Sequence, residues 1–420
     1  MKKHVLIFGL LTMFAVTACD SDEGNENLDK ERTDIVLSRA EETIVNAESD
    51  YAFDLVSKLY EIDRKSDGDG MKNIFVSPLS MFIDFSMLAN GGSADYQEKI
   101  MELLKLDRGT SIDELNDFNR RIVNELLAAD PKVKFSIANS LWTHTTVDLK
   151  KPFVETLLKY YEATASSVDF DSNSTVDKIN GWAKSATKGL IPKIFEYGSL
   201  TSDNVFALCN ALYFEGKWAS EIKESNTTDR VFYNQNGLEP MVPTMETSAP
   251  GFFIDNFTVL KKNYGNGAYS MYFILPDEGV SLSSVMADLS REKWTAIKSD
   301  KDCQHPASIR FPKFNIDYNL NLMAGNEKYE LLGINEVLSE PDLMAMTDKS
   351  IPGLQVIQNN TVEVDENGSK AAAVTVFTGN PTSAMPSDPQ IPIDINRPFM
   401  FLIEECSTGT ILFAGTIVNM

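Results

Sequence analysis

Beyond Val205 the chain is a succession of β-branched and aromatic runs bounded by turn residues: VFALCNALYFEGKW, FTVLKKNYG, YSMYFILP, SIRFPKFNI, TVEVDE, PFMFLIEE and ILFAGTIV. Runs of this composition read as strands. Ahead of them the periodicity is helical. Ala52, Phe53, Val56, Leu59 and Tyr60 recur at helical spacing, and Ser77-Pro78 supplies an N-cap and a first-turn proline for a helix reaching Asn90-Gly91-Gly92. Further helices are expected over about 111–129, 152–163 and 176–194. Helices first and strands later predict an α+β fold, one large domain with N-terminal helices packed on an extensive, mostly antiparallel sheet and further sheets. A chain of 420 residues that is 43% hydrophobic can bury such a core. No internal repeat or linker divides it.

The N-terminus carries a separate message. Lys2 and Lys3 precede an apolar run from Val5 to Val16, too short to span a bilayer, and Thr17-Ala18-Cys19 follows. The VTAC tetrapeptide resembles a bacterial lipobox. That implies a signal peptide over 1–18, acylation of Cys19 and a membrane anchor there. Asp20-Ser21-Asp22-Glu23 looks like the acidic tag that sends some Bacteroidota lipoproteins to the outer cell face. The composition stays polar to about Ser38, so a flexible leash is expected over 19–45 and the folded domain over 46–420. The net charge of −23 argues against nucleic acid as a partner, because two polyanions repel. Cys209, Cys303 and Cys406 lie far apart without CxxC spacing, so neither a disulfide framework nor a zinc site is read.

A hydrolase needs a nucleophile and a base, and the base is usually histidine. Of three histidines, His4 lies in the signal, while His144 and His305 have no catalytic motif around them. GxSxG, HExxH, P-loop and GxGxxG patterns are missing. Glu404 and Glu405 are adjacent in a strand and point to opposite faces. No catalytic residue, metal or cofactor is therefore assigned.

The sequence from Glu366 is different in kind: ENGSKAAAVTVFTGNPTSAMPSD, with no charge between Lys370 and Asp388. Val362 and Val364 alternate with Glu363 and Asp365 before it, as in a half-buried strand, so a strand feeds a long exposed loop. If that loop became a strand, Ser369, Ala371, Ala373, Thr375 and Phe377 would share one face, and Lys370, Ala372, Val374 and Val376 the other. The first face is small and uncharged, and Gly368 gives the backbone freedom where the chain reverses. Parity by itself leaves a plain Ala/Thr linker as the alternative.

This segment resembles the hinge and reactive-centre loop of serpins, and other landmarks agree in order along the chain. NIFVSPLSM, with Ser77 and Ser80, resembles the shutter of that family. NALYFEGKW, with Asn210 and Trp218, resembles its central strand and breach. YFILPDEG, IRFPKF, RPFMFLI and LFAGTIVNM also match. The resemblance implies a monomeric, single-use inhibitor of serine or cysteine endopeptidases, with a reactive-centre loop over about 366–392. A protease attacks the loop, an acyl-enzyme forms, and the cleaved loop inserts into the large sheet. Counting from Glu366 as in the family, through the hinge residues Gly368, Ser369, Ala371, Ala372, Ala373 and Thr375, places the scissile bond at Thr382-Ser383. Ala384, Phe377 and Thr378 are alternative sites. No Lys or Arg occurs between Lys370 and Arg397, so elastase-like or subtilisin-like targets fit better than trypsin-like ones. The other reading is a non-inhibitory serpin that serves as a surface binding module. Gln358 stands where many serpins place a shutter histidine, and its amide is expected to bond Ser77 and Asn210 without titrating.

Overall fold

A computed structural model describes residues 31–65, 71–186, 189, 192–200, 206–300, 304–370 and 392–420. The first half is mostly helical: α1 (Arg39–Lys65), β1 (Ile74–Val76), α2 (Pro78–Ala89), α3 (Ala94–Leu103), α4 (Ile112–Ala128), β2 (Val133–His144), α5 (Lys151–Tyr161), β3 (Thr164–Val168) and α6 (Asn173–Ala186). Next come β4 (Phe206–Lys217), β5 (Thr227–Val231), β6 (Met241–Ile254), β7 (Phe257–Asn263), β8 (Tyr269–Pro276), α7 (Leu282–Asp288) and α8 (Arg291–Ser299). The chain closes with β9 (Gln304–Pro312), β10 (Phe314–Met323), α9 (Asn335–Leu338), β11 (Gln355–Val364), β12 (Gly368–Lys370), β13 (Ile393–Asp394), β14 (Phe399–Glu405) and β15 (Ile411–Ile417).

Among the described residues the strands form two sheets. One runs β1-β15-β14-β8-β7-β6-β9-β13, with β5 on β6; the other runs β10-β11-β12-β4-β2-β3. The α+β expectation therefore holds, and pairing is antiparallel apart from β2–β3, β11–β4 and β13–β9. Helix α2 lies against both sheets, and its residues are buried all round, as a helix apolar on every side must be. Ser77 caps it by accepting from Ser80 N, with Pro78 in the first turn.

Three boundaries differ from the sequence reading. The helix expected over 176–194 ends at Ala186, because Gly189, at φ +90°, turns left-handed and returns its N–H to Lys184 O at 2.6 Å. Strands β2 and β3 precede residue 205. Within the leash expected over 19–45, residues 31–45 are folded instead: α1 begins at Arg39, Ile44 and Val45 are buried in it, and residues 31–38 already lie on the domain. Cys19 is outside the described residues.

Candidate functional site

The site is a partly unzipped seam in the six-stranded sheet. Strands β11 and β4 run parallel and pair only at Val356↔Leu208 and Ile357↔Cys209. Farther along they are held apart by β12, which is antiparallel to both: Val364↔Ser369 and Glu363↔Lys370 on one side, Ser369↔Gly216 and Gly368↔Lys217 on the other. The stretches 358–362 of β11 and 210–215 of β4 face each other across this seam with no ladder pairing between them.

The turn from β11 into β12 is built by Asp365. Its Oδ1 accepts from Asn367 N at 2.7 Å and Gly368 N at 3.2 Å, while Asp365 N donates to Gly368 O at 3.0 Å. Gly368 sits at φ +149°, and a Cβ there would lie 2.0 Å from Gly216 O and 2.8 Å from Lys217 Cα. Both obstacles are backbone, so no rotamer relieves them. Gly368→Ala is therefore expected to expel β12 from the seam and cost at least about 1–3 kcal/mol of native stability. Faster limited proteolysis before residue 370 checks this.

Trp218 marks the open end. Its Nε1 donates to Asp365 O at 2.8 Å, its N to Asn367 O at 3.0 Å, and its ring stacks on Tyr264 at 4.6 Å. The Tyr264 hydroxyl hydrogen-bonds Ser369 Oγ, and Ser369 is only 2% exposed. The inward parity read for Ser369 is thus observed, while the side chain of Lys370 lies outside the described ones. Burial pushes the Tyr264 phenol up, so it stays neutral. Glu366 is 7% exposed, paired with Lys313 Nζ at 2.6 Å and accepting from Thr227 Oγ1 at 2.6 Å.

Burial opposes the charge on Glu366, but the bonds from Lys313 and Thr227 outweigh it and hold the carboxyl below its usual value. A lowered folded value means stability that is whole above the ordinary carboxylate range and lost as pH falls through the lowered value. Glu366→Gln is thus expected to be less stable than the wild type at neutral pH and to converge with it in acid, in paired denaturant titrations.

At the closed end, Gln358 donates from Nε2 to Ser77 O and accepts from Ser77 N, both at 2.9 Å, while its Oε1 also accepts from Asn360 Nδ2 at 2.7 Å. Ser77 Oγ donates to Leu412 O at 2.7 Å. The expected Ser77 contact is present, but through the Ser77 backbone. The expected Gln358–Asn210 bond is not made: Asn210 donates to Asn139 Oδ1 at 2.6 Å on β2, because β2, not β11, is its register partner. Asn210 Oδ1 and Ser80 Oγ are buried and have no hydrogen-bond partner among the described residues. Asn139, Asn360, Tyr264 and Lys313 were not foreseen. Asn360 alone carried a signal, two positions from Gln358 and so on its face.

Ala371, Ala372, Ala373, Thr375, Thr382 and Ser383 lie outside the described residues. Glu404 accepts from Trp294 Nε1 at 2.6 Å and pairs with Lys298 at 2.5 Å, while Glu405 caps Ser407 and Thr408, so each carboxylate has a structural task.

Residues 46–420 match the family model described as "Serpin (serine protease inhibitor)". Serpin-ZXA of Oryza sativa subsp. japonica is 30% identical over 391 residues, covering 89% of this chain and 96% of that protein. Human neuroserpin is 28% identical over 383 residues, covering 87% and 90%. Among solved structures, the thermophilic serpin Tengpin in its native state superposes with a TM-score of 0.78 at 25% identity, covering 92% of this chain and 96% of that one.

Proposed function

The chain belongs to the serpin family, and we propose that it is an inhibitory member that traps its target as a covalent acyl-enzyme. The observation that carries this reading is the seam: β12 starts a strand between β11 and β4, beside stretches of those two strands that form no ladder with each other among the described residues. Carried on in the same register, Ala371 falls opposite Val362 and Phe214, and Thr375 opposite Gln358 and Asn210. Up to Thr375 no existing ladder pair has to break. Beyond it, Val376 meets Ile357↔Cys209, which must part. Thr375 would land beside the unpartnered Asn210 Oδ1 and give it a donor.

The chemistry belongs to the protease. Its nucleophile attacks the Thr382 carbonyl, the Ser383 amine leaves, and the ester at Thr382 holds the enzyme on the loop. Thirteen residue steps separate Ser369 from Thr382, so at about 3.4 Å each the insertion moves the ester roughly 45 Å. Strand addition then competes with deacylation. The uncharged run between Lys370 and Asp388 favours elastase-like or subtilisin-like targets, which need no cationic anchor. The VTAC motif supports acylation at Cys19 and display of a monomer on a bacterial outer membrane.

Incubation with pancreatic or neutrophil elastase and with subtilisin is the test. An SDS-resistant conjugate near the summed mass is expected from at least one of them. Stoichiometric loop cleavage with no conjugate from any would overturn the inhibitory reading and leave a passive binding module.

A further inference from the structure

The segment ahead of α1 does more than connect. Thr33 N donates to Ala129 O at 2.8 Å, where α4 ends and the chain turns into β2. Arg32 Nη1 donates to Gly267 O at 2.5 Å. Ile35 N donates to Ser407 Oγ at 2.8 Å, in the hairpin between β14 and β15, and the Ile35 side chain is 6% exposed within the main core. Arg121 Nη2 donates to Val36 O at 2.7 Å and also pairs with Glu41.

These contacts join parts of the molecule that strand addition must move. Gly267 belongs to the turn 264–268, whose first residue is Tyr264, the partner of Ser369 and Trp218. That turn is clamped to the second sheet: Gly265 N donates to Lys217 O at 2.8 Å, and Asp130 Oδ2 accepts from Asn266 N at 2.7 Å. Asp130 O in turn accepts from Val133 N at 3.1 Å, at the start of β2. Widening the seam displaces β4 and β2 relative to β11. The segment 31–38 ties the β2 entrance to the Tyr264 turn and the β14–β15 hairpin, which both belong to the other sheet.

We propose that residues 31–38 form a strap that keeps the seam from widening in the uncleaved protein, slowing spontaneous insertion of the intact loop. The proposal rests on the loop-insertion reading above. Loss of Ile35 burial, or of the Arg32 bond, weakens the tie at positions remote from the hinge and the loop.

The experiment compares the mature chain with Ile35→Ser and Arg32→Ala variants. Each is incubated uncleaved below its melting temperature and sampled for loop accessibility to subtilisin and for denaturant resistance. Conversion to an inaccessible, more resistant form at least about fivefold faster in Ile35→Ser, the change expected from one or two lost net interactions, supports the strap. Equal conversion rates overturn it. So does an equal loss of stability in the native and the loop-cleaved variants, because the segment would then be ordinary packing. If loop cleavage of the wild type itself raises no denaturant midpoint, the insertion reading fails first, and the strap with it.

Discussion

Ser369→Arg is expected to turn the protein from an inhibitor into a substrate: the protease still cuts the loop, but the conjugate is lost. Ser369 is 2% exposed, hydrogen-bonded to the Tyr264 hydroxyl and flanked by the Trp218–Tyr264 stack. The nearby carboxylates are committed, Glu366 to Lys313 and Thr227, and Asp365 to the amides of its own turn. A guanidinium buried here would lack a counter-charge, at a cost of several kcal/mol. Trapping depends on insertion outrunning deacylation, and each 1.36 kcal/mol added to a barrier slows it tenfold. An added barrier of about 4 kcal/mol slows insertion about a thousandfold, so the partition shifts almost wholly to turnover. Ser369→Ala loses one hydrogen bond and should keep most of the conjugate. Conjugate yields on denaturing gels, with cleaved protein counted beside them, separate these outcomes; an undiminished yield in Ser369→Arg would contradict the inward placement of this residue.

What the sequence made legible follows from which interactions are local. Val362 and Val364 alternate with Glu363 and Asp365 because one face of β11 packs on the core, and that alternation is visible without knowing the partner strand. Gly368 could be singled out because a chain reversal into a small-residue strand needs a residue without a Cβ. The Ser77-Pro78 cap is likewise a matter of neighbouring residues. The Asn139–Asn210 pair was not legible, since it requires β2 to lie beside β4 in one register, and SIANSLWTH has no clean alternation to announce a strand. Ser77 could be named as a partner of Gln358 through the resemblance, but not that the bonds would go to its backbone, 281 residues away. The strap escaped notice for a related reason. Ile35 is one buried apolar residue in a polar stretch, and periodicity needs several.

Cutting the loop should make the protein more stable, the reverse of what a nick does to an ordinary fold. Among the described residues the stretches 358–362 and 210–215 have no ladder pairing with each other across the seam, and Asn210 Oδ1 and Ser80 Oγ are buried without partners. A strand entering there forms about a dozen ladder hydrogen bonds at about 1 kcal/mol each, on the order of 10 kcal/mol in favour of the inserted form. The uncut loop is held at both ends, at β12 and at β13, so it can travel the length of the seam only if β13 first leaves β9, which makes insertion of the intact loop slow; cleavage frees one end. Unfolding entropy of about 2.1 cal/mol/K per residue gives about 0.8 kcal/mol/K for a domain of this size, so the gain corresponds to a rise in Tm of about 13 °C. Calorimetry before and after limited subtilisin cleavage measures it. The rise should vanish in Ser369→Arg, whose hinge cannot enter the seam with an unpaired charge, and that pairing of results ties the stored free energy to this one strand. A nicked wild type that melts no higher than the intact protein would mean the seam holds no such reserve, and trapping would have no driving force.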